Sequence, residues 1–245
     1  MQQRIAVVSG KGGVGKSTVS AGLAQRMAAR GHKVLLIDCD IGLRSLDLIL
    51  GVDEHVLFTW ADVALGRCTL KQAVLEVMVF GGIHLLCAPL QPERALRDNM
   101  LQTLVKSCTE YDVVLIDAPA GIGFGFRAAV LACSRCLIVA TPDPICVRSV
   151  AAASRQAARL GCEDIRLLIN RFDRRQALRG EFLLIDDVID LTETQLIGVV
   201  PQETRLFART ANGAPLQESI VTQALARVAA RLDGENVPLE IPAAE

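Results

Sequence analysis

Short runs of β-branched and aliphatic residues alternate along the chain with longer segments of helical periodicity. The runs Arg4–Ser9, Val34–Cys39, Ile83–Ala88, Val113–Asp117, Cys136–Ala140, Ile165–Asn170 and Leu196–Val200 predict strands. Several are apolar almost throughout, the pattern of parallel strands covered by helices on both faces. After the first run, Val19, Leu23 and Met27 recur every four residues, and Gly31 stands where a helix C-terminus favours a left-handed residue. Val221, Ala224, Leu225, Val228, Ala229 and Leu232 line one face of a last helix. The alternation predicts an α/β fold, a doubly wound and mostly parallel sheet flanked by helices, with ligands bound beyond the carboxyl ends of its strands. No repeat or linker interrupts residues 1–232, which read as one domain. Residues 233–245 hold two prolines, four acids and no base, and read as an extended or poorly ordered acidic tail.

Composition narrows the class. A chain of 245 residues buries a sizeable core without disulfides, and 51% hydrophobic with 22% charged residues is ordinary for a soluble protein. A net charge of -1 gives bulk electrostatics no reason to favour nucleic acid. The eight cysteines are irregularly spaced and mostly lie in apolar stretches, as free thiols do. The run Ile5–Val8 meets a polar glycine-rich loop too soon for a signal peptide, and no apolar stretch approaches a membrane span. A cytoplasmic location is expected.

The chemistry begins at Gly10. The segment Gly10-Lys11-Gly12-Gly13-Val14-Gly15-Lys16-Ser17-Thr18 matches G-x-x-x-x-G-K-[ST] between a predicted strand and a predicted helix. Glycines let backbone N–H groups curl around phosphate oxygens, and the helix N-terminus adds its dipole. Lys16 is expected at the β- and γ-phosphates of ATP and Ser17 on Mg²⁺. Only five of the 26 basic residues are lysines, and Lys11 and Lys16 are two of them, so the loop uses a compact ammonium where the chain otherwise uses arginine. Asp117, after four apolar residues and before Ala118-Pro119-Ala120-Gly121, supplies the carboxylate that a P-loop enzyme places near its magnesium. Asp38 and Asp40 end another strand on one side of it. Asp38 is expected to act through the magnesium waters, as is Asp117, and Asp40 to orient the attacking water.

These residues together resemble the MinD/ParA family of deviant Walker A ATPases. Lys11-Gly-Gly-Val-Gly-Lys16-Ser-Thr is similar to its signature loop, with the extra early lysine. Asp38-Cys-Asp-Ile-Gly-Leu-Arg-Ser-Leu-Asp-Leu48 and Asp117-Ala-Pro-Ala-Gly121 resemble the MinD branch in particular. The likeness continues through Asn170-Arg171, Gly198-Val-Val-Pro201 and Asn212-Gly-Ala-Pro215. It implies an ATP-dependent homodimer in which Lys11 reaches the partner's nucleotide, and slow, partner-stimulated hydrolysis that releases the dimer. It further implies that Asn170 and Arg171 contact the adenine and that the loop from Pro201 to Glu203 closes over the base. Division-site selection with a regulatory partner of the MinC or MinE type is the implied setting.

Two departures bear on this. The family's basic amphipathic C-terminal helix has the acidic residues 233–245 in its place, so membrane binding is expected to be weak, or peripheral at the inner membrane through a partner. Val147-Arg148-Ser149 stands where relatives commonly read Val-Arg-Asp, and if that acid holds the signature lysine, Lys11 is expected to be less restrained here. Cys133-Ser-Arg-Cys136 has the spacing of a ligand pair, but Cys136 opens an apolar strand and buried thiols are the simpler reading; an iron–sulfur scaffold is the alternative. Arg171, Arg174, Arg175 and Arg179 form a basic cluster of the kind a DNA-segregating relative uses. Interspersed Asp173 and Glu181 instead suggest a solvated loop.

Overall fold

The computed structural model describes residues 2–78, 81–203 and 218–241; Asn212–Pro215 lies outside them. Its strands are β1 (Gln3–Ser9), β2 (Val34–Asp38), β3 (Leu75–Glu76), β4 (Ile83–Leu86), β5 (Val113–Ala120), β6 (Arg135–Ala140), β7 (Asp164–Phe172) and β8 (Gln195–Pro201). The helices are α1 (Lys16–Ala29), α2 (Leu46–Leu50), α3 (Trp60–Ala64), α4 (Leu70–Ala73), α5 (Asp98–Ser107), α6 (Phe124–Ala132), α7 (Pro144–Arg159), α8 (Arg174–Leu178), α9 (Ile185–Thr192) and α10 (Ile220–Leu232).

All eight strands join one sheet in the order β3-β4-β2-β5-β1-β6-β7-β8, parallel except for β3 against β4. The doubly wound α/β fold is therefore present. Ile5, Ala6, Val7 and Val8 are fully buried on both faces of the central strand, which is why that run shows no alternation. The crossover through α1 runs from β1 towards β2, and the crossovers through α6 and α7 run the other way. Right-handed connections in opposite directions land on opposite faces. The sheet is thus covered by α1 and α10 on one side and by α5, α6 and α7 on the other. The direction of winding reverses beside β1, so the loop after β1 opens at the switch point where such folds bind ligands.

The strand ends differ from expectation by one to three residues, most at β5, and one strand was not expected. β5 continues past Asp117 to Ala120, and its register with β1 shifts between Val7 and Ser9. Pro119 has no N–H for the ladder, and the irregularity lets the strand carry it. β3, two residues long at the sheet edge, carries too little pattern to be seen in the sequence. Among the described residues, no helix is long and apolar enough to cross a membrane.

The described part of the acidic segment after α10 forms neither helix nor strand, and its beginning is held. Asp233 accepts from Gln3 Nε2 at 2.7 Å and Arg30 Nε at 2.6 Å and bonds His32 Nε2 at 3.0 Å. Arg231 donates from Nε to the Val237 carbonyl at 2.9 Å and from Nη1 to that of Ile197 at 2.7 Å. α10 seats on β8 over Gly198, where a Cβ would lie 2.5 Å from Val228 Cγ2 and 3.2 Å from Leu168 Cδ1. Gly198→Ala is therefore expected to destabilise the fold by roughly 1–3 kcal/mol through overpacking. A urea midpoint equal to that of wild type would show that α10 can ride up without cost.

Candidate nucleotide site

The loop between β1 and α1 takes its shape from its glycines. Gly13 and Gly15 have φ of 77° and 86°, left-handed values that side-chain-bearing residues rarely adopt. α1 then starts at Lys16 with no side chain capping its first turn, so its N–H groups are presented to the loop. Asp117, fully buried, gathers the donors: Lys16 Nζ at 3.1 Å, Ser17 Oγ at 2.6 Å and Ser20 Oγ at 2.9 Å. Ser20 was not expected from the sequence, although its place one turn after Lys16 puts it on the same helix face.

Asp38 is also fully buried, at the end of β2. Its Oδ1 accepts from the Asp40 N–H at 2.8 Å and its Oδ2 from the Leu46 N–H at 3.2 Å. One carboxylate thus ties both ends of the loop between β2 and α2. Burial, with Asp117 nearby, pushes the Asp38 carboxyl up to about 7. Asp40 lies in the same loop and lines a cavity of about 340 Å³ with Gly12–Thr18, Ser45 and Arg171. Burial raises the Asp40 carboxyl too, against the opposing charge of Lys16. The sequence did not single out Ser45, whose Oγ lies 3.1 Å from Ser17 Oγ.

This donor set suits magnesium. Ser17, Asp117 and Asp38 offer hard oxygens, and of the two neighbouring buried carboxylates Asp117 pairs with the Lys16 ammonium while Asp38 feels its negative neighbour, a balance that a divalent cation relieves. Among the described residues, no group of three or more His, Cys, Asp or Glu side chains could hold a metal ion. The arrangement fits a cation held by one hydroxyl, water and phosphate rather than by a protein cage.

A second cavity adjoins the loop, lined by Gly15, Asn170, Arg171, Val200, Pro201 and Glu203 among others. Asn170 is buried and donates from Nδ2 to the Val14 carbonyl at 2.7 Å. A Cβ on Gly15 would meet that nitrogen at 2.6 Å, so this position has no room for a side chain. Arg171 has a left-handed φ of 56°, and its guanidinium comes back to 3.7 Å from the same point. The fold thus brings Asn170, Arg171, Pro201 and Glu203 together beside the phosphate loop, although they come from the ends of two separate strands.

Lys11 has a different partner from Lys16 and is far more exposed. Its Nζ lies 3.2 Å from Asp143 Oδ1, and its side chain is 44% exposed against 7% for Lys16. The expectation that Ser149 leaves Lys11 less restrained is therefore corrected: Asp143, the N-cap of α7, holds it. Burial acts to raise the Asp143 carboxyl, but Thr141, the Cys146 N–H and Lys11 hold it below the usual carboxylate range. Ser149 is turned to the Cys146 carbonyl, and a Cβ on Gly10 would lie 2.4 Å from its Oγ.

The other candidates take ordinary roles. Cys136 is fully buried in β6, and burial raises the Cys133 and Cys136 thiols, the opposite of what thiolate ligation requires. In the arginine cluster, Asp173 accepts from the Arg175 N–H at 2.8 Å as the cap of α8, and Arg179 pairs with Glu181 at 3.6 Å.

Comparison with known proteins agrees with this geometry. Residues 5–216 match the CobQ/CobB/MinD/ParA nucleotide binding domain. The septum site-determining protein MinD of Synechocystis is 36% identical over 247 residues, covering 97% of this chain and 92% of that protein. Among solved structures, the MinC:MinD cell division protein complex of Aquifex aeolicus superposes with a TM-score of 0.90 at 32% identity, covering 98% of each chain. MinD of Pyrococcus horikoshii complexed with Mg-ADP gives 0.85 at 29% identity, covering 95% of this chain and 96% of that one. A chain with this sheet, this phosphate loop and these relatives belongs to the CobQ/CobB/MinD/ParA nucleotide-binding family, in its septum site-determining MinD branch.

Proposed function

We propose that this protein is a MinD-like ATPase switch of division-site placement, in which two copies close on two ATP molecules and hydrolysis releases them. Within one subunit, the Gly10–Thr18 backbone and Lys16 hold the β- and γ-phosphates, and Lys16 leaves Asp117 to do so. Ser17 would hold Mg²⁺, with Asp117 and Asp38 acting through its waters; the cation would supply charge neutralisation for the nucleotide. Asp40 orients the attacking water. Asn170 offers an amide to adenine, whose adjacent amino group and ring nitrogen suit the Oδ1 and Nδ2 of an asparagine. Arg171, Pro201 and Glu203 close that pocket.

The observation that carries the switch reading is the contrasting placement of the two lysines in one loop. Lys16 is buried against its own Asp117, whereas Lys11 is turned outward to Asp143. A charge so placed is available to a second subunit's nucleotide, where it stabilises charge developing on the transferred phosphoryl group. Slow turnover accelerated by a partner of the MinC or MinE type follows, because hydrolysis then waits on assembly. The protein is expected in the cytoplasm, meeting the inner membrane through a partner. Asp233, Glu235 and Glu240 disfavour direct contact of that segment with anionic lipid.

Sedimentation of wild type and Asp40→Ala with ADP and with ATP, each with and without anionic vesicles, tests the reading. A monomer with ADP, a dimer with ATP and a longer-lived dimer in Asp40→Ala are expected, all indifferent to vesicles. A monomer under every condition rejects the switch.

A further inference from the structure

The Ser17 hydroxyl has one proton and two lone pairs. At 2.6 Å from Asp117 Oδ2, its proton is committed to a carboxylate that can only accept. Towards Ser45, 3.1 Å away, Ser17 must therefore act as acceptor, and Ser45 Oγ is the donor. That bond occupies one lone pair of Ser17 and leaves the other for a cation. Ser45 itself is left with acceptor capacity, and it lines the cavity that also holds Asp40 and Lys16.

Ser45 is held in this place from both sides. On one side Arg44 has a left-handed φ of 46°, and its Nε bonds buried Asp47 at 2.5 Å. A non-glycine residue keeps such a conformation only where its surroundings enforce it. On the other side, Leu46 is fully buried and its N–H is held by Asp38. The same Asp38 holds the Asp40 N–H, so one carboxylate anchors both the residue placed for the attacking water and Leu46, the residue next to Ser45.

We infer that Ser45 is a positioning residue for the magnesium shell: its hydroxyl orients Ser17 for the cation, accepts from a water in the shell, and links cation binding to the loop that carries Asp40. The inference rests on the Mg²⁺–ATP reading of the site. A hydroxyl that merely filled space would affect nucleotide binding equally with and without magnesium.

Binding of a fluorescent ATP analogue in EDTA and across a Mg²⁺ titration separates these roles, using wild type, Ser45→Ala and Ser45→Thr, with thermal melts to verify folding. In EDTA the three proteins are expected to bind alike. The Mg²⁺ concentration giving half of the magnesium-dependent enhancement is expected to rise roughly tenfold in Ser45→Ala, the lower end for loss of a group supporting a metal ligand. Ser45→Thr, which keeps the hydroxyl, is expected to restore it. An unchanged Mg²⁺ requirement in Ser45→Ala, or an equal loss in EDTA and magnesium, overturns the inference. Wild type that binds the analogue under neither condition overturns the ATP reading itself, and the role of Ser45 with it.

Discussion

Replacing Lys16 by alanine is expected to abolish ATP hydrolysis and, with no nucleotide present, to lower folding stability by about 3–5 kcal/mol. The second effect follows from where the lysine sits. Its ammonium lies 3.1 Å from the fully buried Asp117, and Asp38, also fully buried, adds a second carboxylate nearby. Removing the cation leaves Asp117 with the Ser17 and Ser20 hydroxyls alone. Urea unfolding of wild type and Lys16→Ala at pH 7 measures this directly. Lys16→Met combined with Asp117→Asn is expected to regain most of the lost stability and none of the hydrolysis. A Lys16→Ala midpoint equal to wild type at pH 7 would mean that the pair contributes nothing to the fold.

What the sequence disclosed about this site followed the range of the interactions involved. The apolar runs around Ile5–Val8 and Val113–Ile116 announce buried parallel strands because every residue in them meets a hydrophobic layer. Lys16, Ser17 and Asp117 were legible because one loop geometry and one strand end demand those residue types at those places. The partner of Lys11 was not. Asp143 precedes Pro144 and reads locally as a helix cap, which it is; nothing nearby in sequence reports a lysine 132 positions away. Ser45 was hidden for the same reason, since its bond to Ser17 crosses between loops after different strands. Asp38 was seen as a carboxylate for magnesium waters, but its hold on the N–H groups of Asp40 and Leu46 is a tertiary fact of how the loop folds.

Lys11→Ala should separate binding from assembly more sharply than any change inside the phosphate cradle. The Lys11–Asp143 pair is exposed enough that its loss is expected to change monomer stability by less than about 1 kcal/mol. Lys16, Ser17 and Asp117 remain in place, so ATP should still bind. If Lys11 serves the partner's nucleotide, the ATP-dependent dimer is lost and hydrolysis falls by roughly 10³-fold or more, the range for a cation supplied in trans to phosphoryl transfer. The opposite change is expected from Asp143→Asn. Asparagine can still accept from the Cys146 N–H through Oδ1 as the cap of α7, and its Nδ2 can donate to Thr141 Oγ1 with that bond reversed, while its neutral amide no longer holds the ammonium by charge. Lys11 is then free to cross the interface, and dimerisation should begin at lower ATP concentration. The two variants act in opposite directions on one equilibrium while leaving the nucleotide's own contacts intact. Analytical ultracentrifugation across an ATP titration reads both. Lys11→Ala dimerising and hydrolysing like wild type would remove the trans role, and Asp143→Asn dimerising no more readily than wild type would show that the pair does not restrain Lys11.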